Sequence, residues 1–125
     1  MDETTITLPF TLPSLFGGFA AGEGLAKASP AELALEFVVQ DSVLNVLKSG
    51  VKEIRVPQSE IDVLRFHRGW FRSRIYVRLK SLKWLAELPG RENNGELTLH
   101  VARRDRDRAE EFVRMLSGRG GQPDR

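Results

Sequence analysis

The chain's densest chemistry lies in residues 66–80, FHRGWFRSRIYVRLK, where arginines, aromatic rings and one histidine crowd around a single glycine. Guanidinium groups recognise phosphate and carboxylate through charge-assisted, often bidentate hydrogen bonds. Tryptophan, tyrosine and arginine also dominate protein contact surfaces. Residues 63–86 hold seven of the chain's 19 Lys and Arg and none of its 17 Asp and Glu, so positive charge is concentrated although the net charge is only +2. The side chains that would meet an anionic ligand or a partner are Arg65, His67, Arg68, Arg72, Arg74, Tyr76, Arg78 and Lys80, with Trp70 and Phe71 as a hairpin-tip anchor.

Three readings fit this stretch. The first is a solvated sheet face on which arginine stems cover apolar surface. The second is a site for anionic headgroups or phosphates, since each Lys or Arg near an anionic membrane is worth about 1 kcal/mol. The third is a protein-contact surface, self-association included. Nucleic acid is disfavoured, because little excess positive charge lies beyond this patch and no RNP or OB signature is visible.

Other chemistry is sparse. His67 and His100 are the only histidines, and neither sits in a nucleophile elbow or at metal-ligand spacing. The absence of cysteine removes disulfides, thiolate nucleophiles and zinc thiolates together. Gly22, Glu23 and Gly24 are not followed by the Lys-Ser/Thr of a phosphate loop, and Glu23 would repel a phosphate. The expectation is a non-enzyme with no catalytic residue, no metal and no cofactor.

The elements that position the basic stretch follow from periodicity. Residues 4–12 alternate, with Ile6, Leu8, Phe10 and Leu12 on one face. Pro9 cannot donate to a ladder, which predicts an edge or irregular strand. Gly17, Gly18, Gly22 and Gly24 predict a loop. A turn at Ser29 and Pro30 precedes a strand over residues 32–40 with Leu33, Leu35, Phe37 and Val39 inward. Residues 41–49 fit a strand or a helical turn. Residues 51–56 read as a strand, residues 57–60 as a turn, and Ile61 opens the next strand.

The basic stretch itself reads as a hairpin turning at residues 69–72. Leu64 then faces Val77 and Phe66 faces Ile75 on the apolar side, while Arg65 faces Tyr76 and His67 faces Arg74 on the polar side. A slip of one residue would mix the faces. Leu82, Trp84 and Leu85 anchor a further turn or strand, residues 91–95 form a polar loop, and residues 95–101 alternate with Leu97, Leu99 and Val101 inward. Ala109, Phe112, Val113 and Leu116 then recur at helical spacing, predicting an amphipathic helix over residues 104–117 that stops at Gly118.

At 125 residues, 41% hydrophobic and 29% charged, the chain suits one globular domain. Its start, Met1-Asp2-Glu3, has the wrong charge for a signal peptide, and the apolar run from Leu8 to Ala21 is broken by Pro9, Pro13 and glycines. The expected location is cytoplasmic, with the inner membrane face as a peripheral alternative.

Six or seven short strands followed by one amphipathic helix resembles the pleckstrin-homology-like fold. Residues 54–79, IRVPQSEIDVLRFHRGWFRSRIYVRL, are similar to the strand, turn and hairpin of bacterial PH-like and GRAM-like domains. The resemblance implies a mainly β fold: an antiparallel barrel or two packed bent sheets of about seven strands, capped by the C-terminal helix. It spans residues 20–118, with residues 1–19 as an extension that adds an edge strand and residues 119–125 as a tail. A binding or scaffold role is implied with it. Phosphoinositide recognition is not carried over, since residues 22–37 contain only Lys27 as a basic side chain.

Overall fold

Seven antiparallel strands in one sheet and one C-terminal helix form the domain, seen in a computed structural model whose described residues are 5–15, 20–41, 52–81 and 96–117. The strands are β1 (Ile6–Leu15), β2 (Ala20–Ala28), β3 (Glu32–Asp41), β4 (Lys52–Pro57), β5 (Ile61–His67), β6 (Arg72–Leu79) and β7 (Glu96–Ala102). The helix α1 (Arg106–Leu116) follows a 3-10 turn at Arg103–Asp105. The expectations for residues 1–4, 16–19, 42–51, 82–95 and 118–125, the loop at Gly17 and Gly18 among them, lie outside the described residues.

The spatial order is β4-β3-β2-β1-β7-β6-β5. Strands β4 and β5 therefore lie at opposite ends of the sheet, yet only Gln58–Glu60 joins them. A connection that short spans at most about 14 Å, so the sheet must curl until its edges approach at this corner. Backbone bonds brace the corner: Gln58 N–H donates to the Ala31 carbonyl at 2.8 Å, and Lys80 N–H to the Glu60 carbonyl at 2.8 Å. No ladder joins β4 to β5, so the expected barrel or pair of sheets is instead one curled, open sheet.

Alternation decides which face is inside. Leu8, Phe10, Leu12, Leu33, Leu35, Phe37, Ile54, Val56, Ile75, Val77, Leu97, Leu99 and Val101 join one core, at every second position along their strands. Ala109, Phe112, Val113 and Leu116 of α1 complete that core, with Phe112 fully buried. The helix is tied at both ends. Arg108 Nη1 donates to the Thr7 carbonyl at 3.4 Å near its start, and Gln58 Nε2 donates to the Leu116 carbonyl at 3.0 Å. The second bond satisfies one of the carbonyls that every helix C-terminus leaves without a partner.

Two expectations about the first strands are corrected. Gly22 and Gly24 lie within strand β2, paired with Val39 and Phe37, and not in a loop. A Cβ on Gly24 would run into the Glu36 carbonyl and the Phe37 Cα, so glycine here permits a close approach of β2 and β3. Strand β1 is central, flanked by β2 and β7, so of the two outcomes that Pro9 allowed, an edge or an irregular strand, the edge is excluded. Its ladder with β7 holds a single register pair, Thr11 with His100, so the irregularity that proline demands falls on that side. The helix also begins two residues later than its periodicity implied, because residues 103–105 wind as a 3-10 turn first.

Candidate functional site

The β5–β6 hairpin has the register that its alternation required: Leu64 pairs with Val77, Arg65 with Tyr76, Phe66 with Ile75 and His67 with Arg74. Strand β7 extends the same rows, pairing Arg74 with His100, Tyr76 with Thr98 and Arg78 with Glu96. Even-numbered β6 residues and their partners thus share the outer face, opposite the core. Both histidines flank Arg74 in one row.

This outer face carries a groove of about 700 Å³ lined by Arg65, His67, Arg68, Arg74, Tyr76 and Arg78, together with Val63, Phe66 and Thr98. Six of the eight expected surface residues therefore converge. Two do not: Arg72 lines a different cleft, and Lys80 is exposed just beyond the end of β6. Arg78 Nε donates to Asp62 at 3.2 Å, and Arg68 reaches Asp107 and Glu110 of α1 at 3.4 Å each. Arg65, Arg72 and Arg74 have no carboxylate partner among the described residues. Burial raises the Tyr76 phenol above its ordinary value, helped by its hydrogen bond to Glu96.

The histidines differ from one another. His67 is exposed at the end of β5. His100 is partly buried, and its Nδ1 is enclosed without a hydrogen-bond partner among the described residues. Desolvation lowers the His100 pKa from the ordinary 6.5, and the positive charges of Arg72 and Arg74 lower it further. Neither imidazole is hydrogen-bonded to a carboxylate among the described residues, and no group of three metal-ligating side chains occurs among them.

At the hairpin tip, Trp70 and Phe71 are 70% and 77% exposed. Their rings meet edge to face at 6.2 Å, and the Arg103 guanidinium lies 5.3 Å from the Trp70 ring centroid. A cation over an exposed ring contributes about 0.5–1 kcal/mol. The tip backbone is also fixed. Arg106 Nη1 donates to the Gly69 carbonyl at 3.3 Å, and Gly69 N–H donates to the buried Ser73 Oγ at 3.3 Å. A Cβ at Gly69 would run into the Arg72 carbonyl, so the turn needs glycine.

The sequence reading missed the partner of this tip. Residues 103–108, RRDRDR, bring Arg103 and Arg106 against it and set Asp107 opposite Arg68. The signal was a run of alternating charge at the helix start, which reads locally as helix solvation. Only the neighbouring of β6 and β7 in the sheet places it beside Trp70. Comparison with known family models, with curated proteins and with solved structures finds no match to the chain.

Proposed function

We propose that this chain is a non-catalytic binding and assembly module of the PH/GRAM-like type, acting inside the cell through protein contact, a second copy of itself included. The observation that carries this is the tip. Trp70 and Phe71 are two of the three exposed large hydrophobic side chains among the described residues. They stand on a turn held by Ser73, Arg103 and Arg106. Exposed rings on a pre-ordered support lose little freedom on binding, which is the condition for a contact hot spot. The PH-like part of the proposal is supported by the strand order, with β1 beside β7, and by the helix laid on the open core. Sedimentation velocity over a concentration series tests it: the chain forms larger species as concentration rises, and the double variant Trp70→Ala, Phe71→Ala stays at the 14.1 kDa monomer. A strict monomer at every concentration removes the self-association clause.

A second reading rests on the basic groove. Arg65 and Arg74 line it without carboxylate partners among the described residues, which suits an anionic membrane surface or a phosphate ligand. No helix among the described residues is long and apolar enough to cross a membrane, so contact through this face would be peripheral. Co-sedimentation with vesicles containing anionic lipid, weakened by salt and by Arg65→Glu with Arg74→Glu, is the outcome expected of it. Binding that ignores both changes would exclude it.

A further inference from the structure

Past the single register pair Thr11 with His100, the outer face between β1 and β7 opens into a cleft of about 760 Å³. It is walled on one side by β2 and β3 and on the other by β6, β7 and the turn before α1. That volume falls in the range of roughly 300–1,000 Å³ common to small-molecule sites. Gly24 lies in its wall, at the point where β2 and β3 come together too closely for any side chain. The cleft is distinct from the hairpin tip and from the basic groove.

We propose that this cleft binds a small amphipathic anion, with one carboxylate-like group at Arg72, His100 and Arg104 and an apolar body along Pro9, Leu25 and Val38. Four observations support the assignment. Leu25, 38% exposed, is the one exposed large hydrophobic of the described residues that lies away from the hairpin tip. Arg72 has no carboxylate partner among the described residues. Arg104 has only a 3.9 Å approach to Asp105, and its side chain remains 85% exposed. His100 lines the same wall with a polar nitrogen enclosed and unsatisfied by the described residues.

The opposite wall limits the ligand. Glu23 and Glu36 line it, and neither has an ion pair among the described residues. They would repel a second anionic group, so a molecule with one negative charge fits better than a polyphosphate or a dicarboxylate. Asp105 also lines the basic wall, but its side chain is only 10% exposed and lies 3.9 Å from Arg104 and 3.7 Å from Arg108, so Arg72 and Arg104 leave that wall positive. With apolar surface between the walls, this gives the molecule a fixed direction. An anion beside His100 also opposes the field of Arg72 and Arg74, so it favours the protonated imidazole that the protein alone disfavours.

The test is a titration of the full chain with sodium octanoate, followed by the ring signals of His100 and His67 in proton–carbon NMR spectra. Octanol and sodium acetate serve as comparisons, one lacking the charge and the other the apolar body. Octanoate is expected to shift His100 saturably and leave His67 in place, with octanol and acetate each binding about tenfold or more weakly. Arg72→Gln is expected to weaken octanoate about tenfold while leaving octanol unchanged. Arg72 is exposed, so the variant should melt with the parent chain; Arg104→Gln repeats the measurement at a second exposed position. The proposal is overturned if His100 shows no saturable shift, if octanol matches octanoate, or if His67 moves with His100. None of these outcomes bears on sedimentation, so the reading of the hairpin tip is judged separately.

Discussion

Strands β1 to β4 and strands β5 to β7 turn the same kind of apolar side chain inward, yet their outer faces carry opposite chemistry. On the first set, Glu23, Glu36 and Glu53 face outward, and Arg55 is held by Glu32 at 2.6 Å and by Glu53 at 3.1 Å. On the second set, Arg65, Arg72 and Arg74 have no carboxylate partner among the described residues. Folding is driven by the face that leaves water, and that face is continuous from β4 to β5. Charge on the other face contributes little to folding and is therefore free to serve recognition. The two halves differ where selection for stability is weakest.

Removing the residue common to both halves is the strongest way to challenge this picture. Phe112 is fully buried in the single core on which both sets of strands converge. Phe112→Ala should destabilise by about 3–5 kcal/mol, read from denaturant midpoints. If the inner face is one core, β2 and β6 amides lose exchange protection together. Loss confined to one set of strands would split the molecule into two units.

Gly24→Ala strikes only the first half. The added methyl meets the Glu36 carbonyl and the Phe37 Cα, and forcing apart two paired strands costs about 1–3 kcal/mol. Exchange should rise first in the β2–β3 hairpin. A variant as stable as the parent chain would mean that β2 and β3 can separate there freely.

Why the hairpin was legible and β2 was not follows from the range of the interactions. In β5 and β6, each apolar residue has its partner within the same short segment, so one register satisfies both strands from the turn back to Val63, and it shifts only between Val63 and Ile61. Strand β2 has small residues and two glycines in place of a hydrophobic stripe, and its strand character comes from β1 and β3 on either side. Pro9 left the place of β1 open in a related way. The missing N–H allows an edge or an irregular strand, and only the sheet shows that the ladder with β7 shortens to one pair while β1 stays central. Five of the six groove residues, Arg65, His67, Arg74, Tyr76 and Arg78, could be grouped from alternation alone, whereas Arg68 lies past the end of β5. Arg72 could not be assigned to the cleft, nor Arg103 to Trp70, because the first depends on β1 meeting β7 and the second on β6 meeting β7, each from distant parts of the chain.

His100 offers a smaller, pH-dependent distinction, because it stands where the two halves join. Its folded-state pKa lies below the ordinary 6.5, first through desolvation and then through Arg72 and Arg74. Above that ordinary value both folded and unfolded chains carry a neutral imidazole, and the residue adds nothing to the pH dependence. As pH falls below it, the unfolded chain takes up a proton that the folded chain resists, so stability declines until the folded value is passed. Denaturation between about pH 7.5 and about pH 5 should therefore show a steeper loss for the parent chain than for His100→Gln. Parallel curves would mean that the junction imposes no such penalty on the imidazole.

The smallest expected change in stability is the most direct test of the contrast between outer faces. Arg65→Glu with Arg74→Glu alters two exposed positions, and substitutions of that kind stay within about 0.5 kcal/mol. The sign should favour the variant. Each new carboxylate replaces a cation that stood among Arg68, Arg72 and Arg78, so repulsion is exchanged for attraction on the same strands. Binding to anionic vesicles, where the parent chain binds them, should fall sharply in the same protein. Unchanged or improved folding together with lost binding would identify the unpaired arginines as a surface kept for a ligand. A clear loss of stability would instead make this face part of what holds the sheet together, and the two halves would no longer differ in kind.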